Sequence, residues 1–359
     1  MNPYERHLAL LSGEEPDKVD IIAAEGLRTG PLGGWLRRLS GRGMGITHIV
    51  PPYKPMFFYD NWINPEIKEI IYTQSHYIEK GIRKIRHGFE TSVGNVFSIV
   101  GRNPDNLITN SPEIPFVKNR SDWCIVNYIF EKMIENMRPN YEEMFLDQDT
   151  LGMNGTTIAV VDKTPFQRSW IELASLEQTV FDSLEKPDEF LEYIDVQTRF
   201  HEKAAEITAG CPAMQINIID NITNTISPKL YEEYCLPIYK IYAQKLAGTG
   251  KCLAIHFDGY FKHLRKAITN SPFQVIDSFT VPPIGNVSLS EAKELWPDKI
   301  PFINLAPHLA FADKKELHEG YEKILAEWGN KKIAIEHVED LPQDRLEMHL
   351  SAVMDVCGY

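Results

Sequence analysis

Asp220, Cys235 and His256 are spaced so that a carboxylate, a thiolate and an imidazole could meet at one point. Asp220 and His256 end neighbouring candidate strands, and Cys235 lies on the helix expected between them. Those side-chain types form a Zn²⁺ donor set, and three protein donors leave the fourth tetrahedral position open for chemistry. Taken singly, Cys235 in YEEYCLPIY also suits helix packing, and Asp220 beside Asn221 suits a loop cap. A second set keeps His256 and needs no cysteine. It adds Asp258, which precedes Gly259 and so also suits a turn, and takes an acceptor from the last strand, Glu336 or His337. There Asp258 either ligates metal or acts as an acid or base. Glu336, His337, Glu339 and Asp340 crowd one strand end. Like charges held close raise the pKa of one member, although Glu339 and Asp340 equally suit the positive end of a following helix.

The elements that must position these groups follow from the rhythm after residue 155. Short runs rich in Ile and Val alternate with helical stretches, the pattern of parallel βα units. The strand candidates are 156–162, 214–220, 252–258, 274–279, 301–306 and 332–338, and the helices include 228–247, 261–269, 290–296, 313–328 and 342–356. Ser227-Pro228 starts the first of these helices well, a capping hydroxyl followed by a residue suited to the first helical position. Each strand ends on polar or ionisable residues: Asp162, Asp220, His256 with Asp258, Asp277, Asn304, and Glu336 with His337. Carboxyl ends of parallel strands share one face, which on a closed (β/α)8 TIM barrel carries the active site. A doubly wound open sheet gives the same rhythm, but the Gly-rich phosphate turn it needs is absent. The expected fold is therefore an α/β barrel, as one domain over 1–359, with an elaborated part to 150 and regular units from 151. The first part reads irregularly around GLRTGPLGGWLRRLSGRGMG, and three β-like runs in 64–101 predict a small meander.

Composition narrows the partners. Among 359 residues, 37 Lys and Arg face 50 Asp and Glu, a net charge of −13, which disfavours a surface built to bind nucleic acid. The start lacks the basic and long apolar stretches of a secretory signal, and no apolar run is long enough to span a membrane, so a cytoplasmic protein is expected. Five scattered cysteines make no CxxC pair and no disulfide framework. Arg28, Arg37, Arg38 and Arg42 form a basic stretch able to grip carboxylates.

Several of these stretches resemble one family. MNPYERHLALLSGEEPDKV is similar to the opening of uroporphyrinogen decarboxylase-like proteins. IIDNITNTISPKLYEEYCLPIYKIYAQKLAGTGKCLAIHFDGYFKHLRKAI resembles their central core, and VIDSFTVPPIGNVSLSEAKELWPDKIPFINLAP and the terminal EDLP continue the likeness. The resemblance implies a (β/α)8 barrel of the kind shared by the decarboxylases and by corrinoid-dependent methyltransferases. The decarboxylases' RQAGR-type clamp does not occur here; its nearest counterpart is GWLRRLSGRG. In the methyltransferase branch zinc is typical, and one pattern places His and Cys where this chain reads HFDG, so that His256 matches and Asp258 replaces the cysteine. A pattern of Glu, Glu and His in O-demethylating members has the separations of Asp220, Cys235 and His256.

The resemblance thus implies methyl transfer from a small methylated compound, such as an aryl methyl ether, to the cobalt of a separate corrinoid protein. Zinc on Asp220, Cys235 and His256 would polarise the ether oxygen. Asp258, Asp277 and Glu336 would serve catalysis, and Tyr260, Asn304 and His337 would contact substrate. Tyr53, Phe57, Phe58, Tyr59, Tyr260 and Phe261 are the aromatics suited to line the mouth. The alternatives are a metal-free decarboxylation, with Asp258 stabilising a protonated ring, and a barrel that binds a ligand or corrinoid protein without turnover.

Overall fold

Eight parallel strands close into a barrel in a computed structural model that describes residues 1–25, 34–58, 61–63, 67–102, 110–337 and 341–359. The strands are β1 (Asp20–Glu25), β2 (Gly45–Val50), β3 (Gly155–Val161), β4 (Gln215–Ile222), β5 (Cys252–Phe257), β6 (Val275–Phe279), β7 (Ile300–Asn304) and β8 (Ala334–His337). Each pairs with its neighbours in sequence, and β8 returns to β1, giving the (β/α)8 arrangement. The six strands from residue 155 onward lie where the Ile- and Val-rich runs place them. The first two come instead from the stretch expected to be irregular, as DIIAAE and GITHIV.

Strand alternation fills the barrel. Ile22, Cys252, Ala254, Val275, Phe302 and Ala334 point inward and pack with Leu10 of the helix Pro3–Leu11. That helix closes the barrel's floor and is well started: Asn2 caps the amide of Glu5 at 2.9 Å, and Glu5 returns a bond to the amide of Asn2 at 3.1 Å. The helix after β4 begins at Ser227-Pro228 as expected, but a π-helical turn, Tyr231–Cys235, precedes its regular part, Leu236–Leu246.

Contacts group the chain into two compact units. One comprises Met1–Pro52, Tyr141–Val161 and Cys211–Tyr359 and contains the whole barrel. The other comprises Tyr53–Asn140 and Asp162–Gly210. Its antiparallel sheet runs Ile70–Glu79, Ile82–Thr91, Gly94–Arg102 and Asn110–Ile114 in order, the meander read from the sequence. The first hairpin turns on Lys80-Gly81, both with positive φ, as a two-residue turn requires. Helices Arg120–Asn136 and Asp188–Ala209 pack through Trp123, Phe190 and Tyr193. Within this unit Arg168, wholly buried, pairs with Asp162 and Glu172 and lies over the rings of Phe130 and Phe200. Tyr53 donates to Asp162 at 2.6 Å, so this strand-end carboxylate and this aromatic are parts of a buried ion-pair cluster. No helix among the described residues is long and apolar enough to cross a membrane.

Candidate active site at the carboxyl ends of the strands

The inward positions of the barrel change character along its axis. Two residues beyond the apolar floor, alternation brings His256 after Ala254, Asp277 after Val275, Asn304 after Phe302 and Glu336 after Ala334 to the interior face of the carboxyl end. On β4 the same face carries Gln215 and Asn217, which hydrogen-bond to each other. On β5 to β8 the inward side chains thus change from apolar at the bottom to polar or ionisable at the rim, whereas on β4 Gln215 and Asn217 lie level with Cys252 and Ala254 of the floor.

These groups form one connected network. Asp277 Oδ2 lies 2.7 Å from His256 Nδ1, and Asp277 Oδ1 accepts from Asn217 Nδ2 at 3.0 Å. The other imidazole nitrogen, Nε2, lies 3.1 Å from Asp258 Oδ1. Asp258 also accepts from Ser278 Oγ at 3.1 Å and from Asn221 Nδ2 at 2.8 Å. Asn304 Nδ2 donates to Ser278 Oγ at 2.8 Å, and Glu336 Oε1 accepts from the Ser278 amide at 2.7 Å. His256 and Asp277 are nearly fully buried, whereas Asp258 keeps 29 % of its side chain exposed, so the network meets solvent at Asp258.

Backbone strain marks the two residues that hold Asp258. Asn221 and Ser278 both have positive φ, 51° and 61°, in the left-handed region that side chains other than glycine seldom occupy. The ladder register slips at both places, between β4 and β5 around residues 218–222 and between β6 and β7 around 276–279. Such irregularities re-aim side chains beside active sites, and here both aim at one carboxylate.

The electrostatics follow from this packing. Burial alone would push the His256 imidazole down, but Asp258 and Asp277 more than reverse that and hold it well above its ordinary value. Burial would raise the Asp258 carboxyl, but His256, Asn221 and Ser278 bring it down to about 2. The pair is an imidazolium and a carboxylate at neutral pH. Asp277 and Asp258 thus flank the imidazole, one at each ring nitrogen.

Of the residues expected to hold zinc, Asp220 has its carboxylate accept from the hydroxyl of Tyr239 on the surrounding helix. Cys235 is wholly buried. Burial, Asp220 and Cys235 together hold the Tyr239 hydroxyl well above the phenol range. Each ring nitrogen of His256 faces a carboxylate, Asp277 or Asp258. Among the described residues no three His, Cys, Asp or Glu side chains are placed to hold one metal ion, and that includes His256 with Asp258 and Glu336 or His337. The donor chemistry suits a cation, but the geometry does not assemble a three-donor site.

Other expected residues fall as follows. Asp258, Asp277, Glu336 and Asn304 belong to the network. His337 has the opposite parity to Glu336 and is buried, with its imidazole pushed down to about 4. Tyr260 lies 45 % exposed on the loop after β5, outside the hydrogen-bonded set. Phe261 is core, packed on Phe257, Phe279 and Trp296. Arg38 and Arg42 pair with Glu347 and Asp355 of the last helix, Gln343–Val356, and are drawn away from the strand ends. Arg28, Tyr59, Glu339 and Asp340, and the side chains of Phe57 and Phe58, lie outside the described residues. Gln215, Asn217, Asn221 and Ser278 were not singled out from the sequence. Asn221 and Ser278 sit within the register slips, which leave no plain signal in the sequence.

Comparison with known proteins adds two findings. Residues 174–355, just over half of the chain, match the uroporphyrinogen decarboxylase (URO-D) family. A methyltransferase from Methanosarcina mazei is similar in structure, with a TM-score of 0.56 over 99 % of this chain and 99 % of that chain, at 12 % sequence identity. That likeness is one of fold. No curated protein matches the chain by sequence.

Proposed function

This chain belongs to the uroporphyrinogen decarboxylase family, and on that footing we propose a methyltransferase that moves a methyl group from a small methylated donor to the cobalt of a corrinoid protein. The observation that carries the reading is His256, held as an imidazolium between Asp277 and the solvent-facing Asp258 at the open ends of the strands. A methyl ether resists cleavage because its oxygen is a poor leaving group. Protonation of that oxygen as the carbon–oxygen bond breaks removes the obstacle. In the proposed step the bond's electron pair goes to oxygen, which takes the proton of His256 Nε2, and the methyl carbon passes to the reduced cobalt. The donor departs as a neutral phenol or alcohol. His256, now neutral, regains a proton from solvent by way of Asp258.

Charge favours this over decarboxylation of a polyacid. Two carboxyl groups flanking one imidazole disfavour an anionic substrate, and Arg38 and Arg42 are paired with Glu347 and Asp355. A neutral ether suffers no such penalty. No step is routed through zinc, because among the described residues no three donors converge.

The test is turnover. With a reduced corrinoid protein and a panel of methoxylated aromatics, amines and thiols, methyl-cobalt absorbance should appear with at least one oxygen-linked donor. Its absence with every donor, given a corrinoid protein competent with another methyltransferase, sinks the reading.

A further inference from the structure

Below the rim, a file of buried amides connects His256 to the floor of the barrel. His7, on the helix that closes the floor, places Nδ1 2.7 Å from Asp20 Oδ2 and Nε2 2.8 Å from Gln215 Oε1. Gln215 Nε2 donates to Asn217 Oδ1 at 2.8 Å, and Asn217 Nδ2 donates to Asp277 Oδ1 at 3.0 Å. Gln215 is wholly buried and Asn217 nearly so. Barrel interiors are normally packed with branched apolar side chains, so a polar file there calls for a reason beyond filling space.

Each amide has one donor end and one acceptor end, so the orientation of one fixes the next. Asp277 offers only acceptors when ionised, which turns the Asn217 amide nitrogen toward it. Asn217 must then accept from Gln215, and Gln215 must accept from His7 Nε2, which carries a hydrogen. Every donor in the file points toward Asp277. That carboxylate is left with one oxygen satisfied from below and the other free to accept from His256 Nδ1.

We propose that Asn217 and Gln215 are positioning residues, which hold Asp277 as a fixed acceptor and so keep the hydrogen on His256 Nδ1 and turn Nε2 to the rim. The inference rests on the reading of His256 as the proton donor, but its first test is independent of turnover. In protein labelled with 15N-histidine, the His256 resonances are assigned by their loss in His256→Gln. Asn217→Asp, nearly isosteric, puts an acceptor where the donor was, so that two carboxyls must share a proton. The spectra are read above the pH at which His256 gives up a proton, where only one ring nitrogen keeps hydrogen; there a weakened acceptor at Asp277 should move the Nδ1 resonance toward the unprotonated position. Gln215→Leu, one link further away, should move it in the same direction by less. In turnover, Asn217→Asp should lower kcat about tenfold and leave KM within about twofold, since the substrate is not touched. An unmoved Nδ1 resonance in the folded variants overturns the proposal. Should Asn217→Asp fail to fold, Gln215→Leu decides by itself. A displaced resonance in a protein that transfers no methyl group would uphold the file and defeat the functional reading alone.

Discussion

His256 has two carboxylate neighbours with different duties. Asp277, buried, fixes the ring; Asp258, partly exposed, faces the nitrogen proposed to meet substrate. Removing the acid, His256→Gln, should slow methyl transfer by about 10²–10⁴-fold with the fold intact by circular dichroism. Asp277→Asn replaces a pure acceptor by an amide and should also cost kcat, because the ring loses its orientation. Stability carries a pH signature. Asp258 is held at about 2, so what it contributes is complete above the ordinary carboxylate range and lost as pH falls through about 2. His256 is raised, so its contribution is complete below 6.5 and lost as pH climbs past the raised value. The melting-temperature gap between the native protein and Asp258→Asn should therefore be full at pH 6 and close as the pH falls from 4 toward 2. A gap independent of pH over that range contradicts the pairing. His256, Asp258, Asp277, Asn304 and Glu336 were legible as ionisable or polar strand ends. Asp220 and His337 were legible too, but not their partners, since composition at a strand end does not say which way a side chain points.

Parity is a property of the strand, and it yields a prediction at that scale. Asp220 faces Tyr239 in the layer between strand and helix, so Asp220→Ala should destabilise by about 1–3 kcal/mol by leaving a buried hydroxyl unpaired, with kcat unchanged. Loss of turnover with unchanged stability would return Asp220 to the site. The floor makes the complementary case: Phe302, packed edge-on against His7, is an inward apolar residue, and Phe302→Ala should cost about 3–5 kcal/mol in denaturant unfolding. The strands from residue 155 were readable because Ile and Val runs alternate with long helical stretches. Those at Asp20–Glu25 and Gly45–Val50 were not, because they flank a Gly- and Arg-rich segment whose turn chemistry dominates any local window. The meander at Ile70–Arg102 was readable because its turn residues separate β-branched runs.

Over the whole molecule, the net charge of −13 and the carboxyl-rich rim oppose an anionic substrate and leave a neutral donor favoured. Because no three described donors converge, protein expressed with added zinc should hold well below one zinc per chain; stoichiometric zinc that disappears in His256→Ala would require the rim to rearrange around a cation. The central claim, that His256 gives its proton to the departing oxygen, is tested most directly by a series of aryl methyl ethers graded by the acidity of the phenol released. Methyl-cobalt formation is timed in a single turnover for the native protein and for His256→Gln. An acid matters most where the leaving group is poorest, so the ratio of the two rates should rise steadily as the phenol becomes less acidic. A ratio that stays constant across the series would contradict the account.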